Sequence, residues 1–318
     1  MEKEGMSKAY ASFTVTEPAR LLAWLLANVR ESRSKVKATL QGGGIKVGGK
    51  VVTQFDFPLQ PGMRVEVSRS KQNQEFKNRY IRIVFEDRYV IIVDKRPGIL
   101  SMPAGHSSLN VKTVLDDYFL QTRQHCQAHV VHRLDRDTSG LMIYAKDKQT
   151  EMTLEADWHN IVFDRRYVAV LSGIMEHDGG TIQNWLKDNR DYFTYSSPDD
   201  NGGKLAITHF RVLDRTRPLA AATRSPLAQE TPQSQDGYSL VEFRLETGRK
   251  NQIRVHAADM GHPVCGDVKY GNGDDPIGRL CLHAYRLCFY HPVTHRPMSF
   301  ETDFPKAFTD IFKRRNQQ

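Results

Sequence analysis

The chain has 318 residues, 39% hydrophobic and 26% charged, with 22 Gly and 14 Pro, a globular balance that excludes a fibrous or wholly disordered protein. No apolar run approaches the roughly 20 residues that span a bilayer, the first ten residues carry no secretory signal, and four cysteines are too few for a disulfide framework, so a soluble cytoplasmic protein is expected. The net charge of +8 suggests a polyanionic partner, and it is uneven: residues 1–70 hold 11 Lys/Arg against 6 Asp/Glu, a small basic module ahead of a nearly neutral body.

The first predicted helix opens near Thr16-Glu17-Pro18, where a Thr cap and an early Pro favour initiation. Leu21, Leu25 and Val29 then recur at helical spacing, with Leu22 and Leu26 beside them. A second helix runs from Ser34 to about Gln41 and stops at Gly42-Gly43-Gly44. Ile45–Val47 and Lys50–Thr53 read as a hairpin around Gly48-Gly49, and Val65–Val67 as a further strand. Arg33, Lys35 and Lys37 on the second helix, with Lys46 and Lys50 in the hairpin, form a basic cluster with few acidic residues to balance it. That is a candidate phosphate-binding surface. The stretch from Ala19 to Val67, with SRSKVKATLQGGGIKVGGK and PGMRVEV inside it, resembles the small alpha-L RNA-binding domain first described in a ribosomal protein. The domain is expected over residues 13–70, followed by a polar linker at 71–79.

Residues 80–310 are expected to form one α+β body around a large, mixed, mainly antiparallel sheet. Strand patterns occur at Ile81–Phe85, Val90–Val93, Leu141–Ala145, Tyr167–Leu171, Ala206–Leu213, Leu240–Leu245 and Cys281–Tyr290. Helical patterns occur at Val111–Phe119 and about Thr150–Trp158, and Gln252–Met260 reads as a strand passing into a helix. Residues 215–236, rich in Pro, Ser, Thr and Gln, are expected to be an exposed loop.

Three segments of this body carry chemistry. His132-Arg133-Leu134-Asp135-Arg136-Asp137-Thr138-Ser139-Gly140 packs carboxylates between arginines just before an apolar strand, and opposite charge nearby favours an ionised carboxylate. By pattern alone this is equally an Asp–Arg network that merely braces the strand. Thr247–His256 (TGRKNQIRVH) places Arg254 and His256 two apart, as if on one side of a strand, and Arg165–Val170 leads an alternating pattern with Tyr167.

Their order and detail go further. HRLDRDTSGLMIYAKD (His132–Asp147) resembles the catalytic motif of the RluA family of pseudouridine synthases. RRYVAVLSG (Arg165–Gly173) is similar to the family's tyrosine segment, and TGRKNQIRVH followed by MGHPVCGDVKYG (Met260–Gly271) to its third motif. DKRPGILSMPAG (Asp94–Gly105) is similar to its earlier Lys-Pro-x-Gly segment. The resemblance implies a catalytic domain with a central cleft, no metal and no cofactor. It implies Asp135 as the catalytic aspartate and Arg254 as the counter-ion that positions it. Tyr167 would stack on the target base and handle the proton at carbon five, and Arg133 would fill the gap left when the uridine flips out. RNA is the implied partner: ribosomal RNA of the large subunit is favoured by the alpha-L module, transfer RNA is the alternative, and a monomer is expected.

Two other readings compete. A glycosidase would use Asp135 and Asp137, but two residues apart in a loop is a poor way to set the roughly 5–9.5 Å such enzymes need. A non-catalytic RNA-binding assembly protein would have no reason to retain Asp135, Tyr167 and Arg254 together. The groups His125, Cys126, His129, His132 and Cys281, His283, Cys288, His291, His295 lack a Cys-x-x-Cys pair, and read as core and loop residues rather than a metal site.

Overall fold

The structure is a computed structural model that describes residues 10–29, 31–41, 44–68, 76, 78–104, 109–216 and 237–315. The predicted 215–236 loop beyond Thr216, and most of the 71–79 linker, lie outside the described residues. Two compact units lie within Met1–Lys77 and Asn78–Gln318.

The first unit consists of β1 (Tyr10–Thr14), β2 (Ala19–Arg20), α1 (Leu21–Asn28), α2 (Arg33–Gln41), β3 (Ile45–Val47), β4 (Lys50–Val51), β5 (Pro58–Leu59) and β6 (Arg64–Ser68). The strands form a sheet of order β1-β6-β3-β4 and a separate β2-β5 pair. The leucine face of α1 (Leu21, Leu25, with Trp24) packs with Val36 and Leu40 of α2 and with Ile45 and Val65 of the sheet. Gly48 and Gly49 take φ of +57° and +80°, the left-handed pair that a two-residue hairpin turn needs. The helix start differs from expectation. Ala19 and Arg20 pair with Leu59 and Pro58, so α1 begins only at Leu21, and its extended N-cap Arg20 makes no side-chain cap bond. Strand pairing has overridden the local Thr-x-Pro signal.

The second unit runs β7 (Ile81–Glu86), β8 (Val90–Lys95), α3 (Val111–Gln121), β9 (His129–Val130), β10 (Ser139–Ala145), α4 (Lys148–Ala156), α5 (Trp158–Ile161), β11 (Asp164–Ser172), β12 (Gly179–Asp188), β13 (Thr194–Ser197), β14 (Lys204–Arg215), β15 (Tyr238–Leu245), α6 (Gln252–Asp259), β16 (Leu282–Tyr290), β17 (Pro297–Glu301) and α7 (Lys306–Arg315). Eleven strands form one sheet of order β13-β12-β14-β15-β11-β16-β10-β8-β7, with β17 on β16 and β9 on β10. Among the described residues, all its pairings are antiparallel except β10 with β16. Asn110 and Asp147 cap α3 and α4 by accepting the N–H of Thr113 and Thr150, which fixes where each helix starts. Leu141, Ile143 and Ala145 of β10 share a core with Leu154 of α4, Val162 and Leu287. Strands β12 and β17 fall outside the predicted elements because most of their residues are exposed, leaving little apolar alternation to read.

The strand order positions the site. Strand β16, late in the sequence, lies between β10 and β11, and Ala284 on it pairs with Gly140 on one side and Tyr167 on the other. The loop that enters β10 is thereby brought beside the start of β11. Among the described residues no helix is long and apolar enough to cross a membrane.

Candidate active site

Asp135 lies in the loop between β9 and β10, and the loop is held by its own backbone. Lys95, wholly buried at the end of β8, donates from Nζ to the carbonyls of Arg136 at 2.8 Å and Ile99 at 2.9 Å. Burial pushes this ammonium down to about 7 even though Asp137 and Asp135 pull it upward. Ser101 Oγ accepts the Leu134 N–H at 3.0 Å and donates to the Leu134 carbonyl at 2.7 Å. The Thr138 N–H closes the turn on the Asp135 carbonyl at 3.2 Å. Gly140 then enters the sheet at φ +120°, where a Cβ would sit 2.2 Å from the Ala284 carbonyl oxygen. Only glycine allows that approach.

The carboxylate of Asp135 meets Arg254 of α6, with Oδ2 to Nη1 at 3.1 Å and side-chain exposures of 25% and 12%. The guanidinium is held from behind. Asp267, whose side chain is 0% exposed, accepts from Nε and Nη2, both at 2.7 Å. Asn251 Oδ1 accepts from Nη1 at 3.1 Å, and the Tyr270 ring lies 5.2 Å from Cζ. Burial by itself would raise the Asp267 carboxyl; the Arg254 pair and the N–H groups of Tyr270 and Lys269 outweigh it and hold the carboxyl below its ordinary range. Burial likewise works against the Arg254 charge, but Asp267 and Asp135 overcome it and raise the group further. Asp135 is therefore the more accessible end of a pre-aligned acid–arginine–acid row.

Beside this row is a cavity of about 320 Å³ lined by Asp135, Arg254, Tyr167, Arg133 and the turn ahead of α6, a volume near the low end for small-ligand sites. Tyr167 is buried in its wall, and burial, with the Asp135 charge adding and Arg165 opposing, pushes its phenol above the ordinary range. Arg133 is exposed at the same cavity. His132 faces inward: its Nε2 accepts the Ile143 N–H at 3.0 Å and its ring lies 5.0 Å from that of Trp158. Asp135, Tyr167, Arg254 and Arg133, from three separate segments, thus line one cavity. In the first unit, Arg33 and Lys37 are exposed on α2, Lys50 is exposed on β4 and Lys46 is half-buried on β3. The Lys35 side chain lies outside the described residues.

Sequence alternation misplaced one residue. Gln252–Asp259 is helical from its first residue, so Arg254 and His256 point about 200° apart rather than to one side. His256 is buried, with Nδ1 2.9 Å from Thr208 Oγ1 and Nε2 2.8 Å from Asn184 Oδ1, and does not line the cavity. Asp267, which orients Arg254, and Lys95 and Ser101, which hold the loop, were missed because their roles arise from pairing across the fold. The available signal was their place in resembling segments: Lys95 and Ser101 in DKRPGILSMPAG and Asp267 in MGHPVCGDVKYG. Three of the histidines weighed as metal ligands have other partners: His129 with Glu151, His283 between Ser139 and Thr302, His291 with Asp87. Among the described residues no group of three His, Cys, Asp or Glu could hold a metal ion.

Comparison with known proteins bears directly on this geometry. The RNA pseudouridylate synthase family matches residues 89–259, and the S4 domain matches residues 19–65. The chain is 34% identical over 280 residues to an RNA pseudouridine synthase of Bacillus subtilis, YjbO, covering 86% of this chain and 92% of that protein. It is also 34% identical over 304 residues to the ribosomal large subunit pseudouridine synthase D of Neisseria meningitidis, covering 88% and 75%. The fold is shared with human RNA pseudouridylate synthase domain containing 1, at a TM-score of 0.55 and 23% identity over 70% of this chain and 83% of that one. The chain therefore belongs to the RNA pseudouridylate synthase family: it is an RNA pseudouridine synthase, an isomerase acting on RNA, with an S4 domain ahead of its catalytic body.

Proposed function

We propose that the protein converts uridines of large-subunit ribosomal RNA to pseudouridine, with Asp135 as the catalytic residue. One observation carries this reading: Asp135, paired with Arg254 at 3.1 Å, is among the described residues the single carboxylate lining the cavity that Tyr167 and Arg133 share. The reaction breaks the bond from C1′ to N1, turns the base, and joins C1′ to C5. The C5 proton leaves and N1 gains one, so atoms balance without any redox partner. A carboxylate at the sugar serves as nucleophile or as base, and Arg254 acts on it as a positioning residue. Tyr167 offers a ring for the uracil to stack on. Its raised phenol suits a hydroxyl that relays a proton better than a phenolate that takes one outright. Flipping a base costs a few kcal/mol, and Arg133 at the cavity's exposed side is suited to occupy the space it leaves. The basic residues Arg33, Lys35, Lys37, Lys46 and Lys50 supply sequence-independent phosphate contacts. The name of the Neisseria relative supports the ribosomal substrate.

The test is a map of pseudouridines in total RNA from cells carrying the wild-type gene, no gene, or Asp135→Asn. Wild type alone is expected to modify the ribosomal positions. Purified Asp135→Asn should lose about 10²–10⁴-fold in turnover while retaining RNA binding. Loss of modification confined to transfer RNA would replace the ribosomal reading, and an active Asp135→Asn would end the catalytic one.

A further inference from the structure

The cavity contains another enclosed arginine, one with no part in the reaction at Asp135. Arg165 lies two residues before Tyr167 on β11, on the same face of the strand and about 7 Å along it. It is 8% exposed and lines the cavity beside Tyr167 and Gly248. Its strand neighbours turn to the other face, where Asp164 and Glu242 are taken up by Arg166, Arg286 and Arg211. No carboxylate is left for Arg165. Among the described residues its guanidinium forms neither an ion pair nor a hydrogen bond, and its nitrogens are not sealed from the cavity. Three other cations lining the cavity are engaged: the partly buried Arg249 with the Leu205 carbonyl, the exposed Lys250 with Asp188, and Arg254 with both aspartates.

The surroundings hold this unpaired charge in place without neutralising it. The Trp158 ring lies 5.7 Å from Cζ. At Gly248 a Cβ would come within 3.0 Å of Nη1, so bare backbone lets the guanidinium lie against the turn. His132 stays neutral beside it: burial pushes its imidazole down to about 3, and the Arg165 charge adds to that. The first residues of α6 line the same cavity, and no side chain caps that eight-residue helix, leaving its positive end toward the same space. A buried cation without a partner is costly unless a ligand supplies one.

We propose that Arg165, with the first turn of α6, is a phosphate anchor that grips an RNA phosphodiester next to the target uridine. The planar fork of arginine suits two phosphate oxygens. A uracil on Tyr167 keeps its own backbone within one nucleotide's reach of Arg165. The proposal rests on reading the cavity as the uridine pocket, and it divides that pocket between two parts of the substrate. Asp135 and Tyr167 address the nucleoside, Arg165 the chain that carries it.

Full-length Arg165→Gln and Arg165→Lys are compared with wild type on a large-subunit ribosomal RNA transcript tritiated at uracil C5, at several salt concentrations. Arg165→Gln is expected to lose about 10- to 100-fold in kcat/KM. Its plot of log kcat/KM against log salt should be shallower by about 0.7–0.9, one phosphate contact. Arg165→Lys should keep the wild-type slope and recover part of the rate. The thermal midpoint of Arg165→Gln should not fall, since the change removes an unpaired buried charge. The same loss with an unchanged salt slope would overturn the phosphate and point to an uncharged acceptor such as a uracil carbonyl. A lower thermal midpoint with full activity would make Arg165 a structural partner of Trp158. If wild type releases no tritium, the reading of the reaction fails. Salt-dependent retention of the transcript by Asp135→Asn, with and without Arg165→Gln, then still decides the anchor.

Discussion

A carboxylate with no exposure of its own, Asp267, governs how Arg254 meets Asp135. Its two oxygens take Nε and Nη2 of the guanidinium, which leaves Nη1 as the nitrogen that reaches Asp135. Exchanging Asp267 for Asn puts a donor against a donor and removes the charge that balances Arg254. Asp267→Asn is expected to lower kcat by about 10²-fold, in the range of lost catalytic positioning, with a smaller change in KM for RNA. Breaking a buried pair in this way should also cost about 3–5 kcal/mol of stability. Tritium-release kinetics and urea unfolding measure the two effects, and an unchanged kcat would remove Asp267 from the positioning of Asp135. The contiguous run His132–Gly140 made Asp135 a candidate in the sequence through its nine-residue resemblance to a family motif, since its charge pattern alone suits a structural network equally well. Asp267 and Arg165 were not legible. One is set by a partner thirteen residues away, and the other is singled out only by having no ion-pair or hydrogen-bond partner among the described residues.

The loop entering β10 is an element with almost no regular structure that is fixed by its neighbours. Lys95 and Ser101 hold its backbone from one side. At its end Ser139 Oγ lies 2.8 Å from His283 Nδ1 and accepts from Arg279 Nη2 at 2.8 Å, and Gly140 is pressed against Ala284. Gly140→Ala would bring a methyl into backbone that cannot yield and would impose strain at φ +120°. A loss of about 3 kcal/mol or more is expected, read as a lower urea midpoint, together with loss of turnover as Asp135 shifts. A variant of wild-type stability would show that the strand can part here. Helix α6 teaches the complementary lesson. Its alternating Arg254 and His256 read as a strand because two polar residues separated by one apolar residue satisfy a period of two. Tertiary packing chose the helix, sending Arg254 to the cavity and His256 against Thr208 and Asn184.

At the scale of the whole molecule, burial of neutral imidazoles sets how the fold answers to acid. Burial holds His256 at about 4, and burial with a neighbouring arginine charge holds His132 and His283 at about 3, against about 6.5 in an unfolded chain. Between roughly pH 6.5 and 4 the unfolded chain therefore binds up to three more protons at these rings than the folded one. Stability rises with pH across that window, and acidification removes it at up to about 4.1 kcal/mol per pH unit. Urea unfolding at pH 7, 6 and 5 measures the slope, and a flat profile would mean that these rings are not enclosed in solution. The same scale separates what each level of description decided. The sequence alone determined the basic module, the α+β class with its mainly antiparallel sheet, and the residue types of the chemistry, because apolar periodicity and dense local motifs are written over short stretches of chain. Tertiary structure decided what meets what. Strand β16, more than 100 residues downstream of both β10 and β11, inserts between them and brings Asp135 beside Tyr167. Helix α6 delivers Arg254, and Asp267 aligns it. Pairing across a sheet and burial of charge depend on partners distant in the chain, which no local pattern encodes.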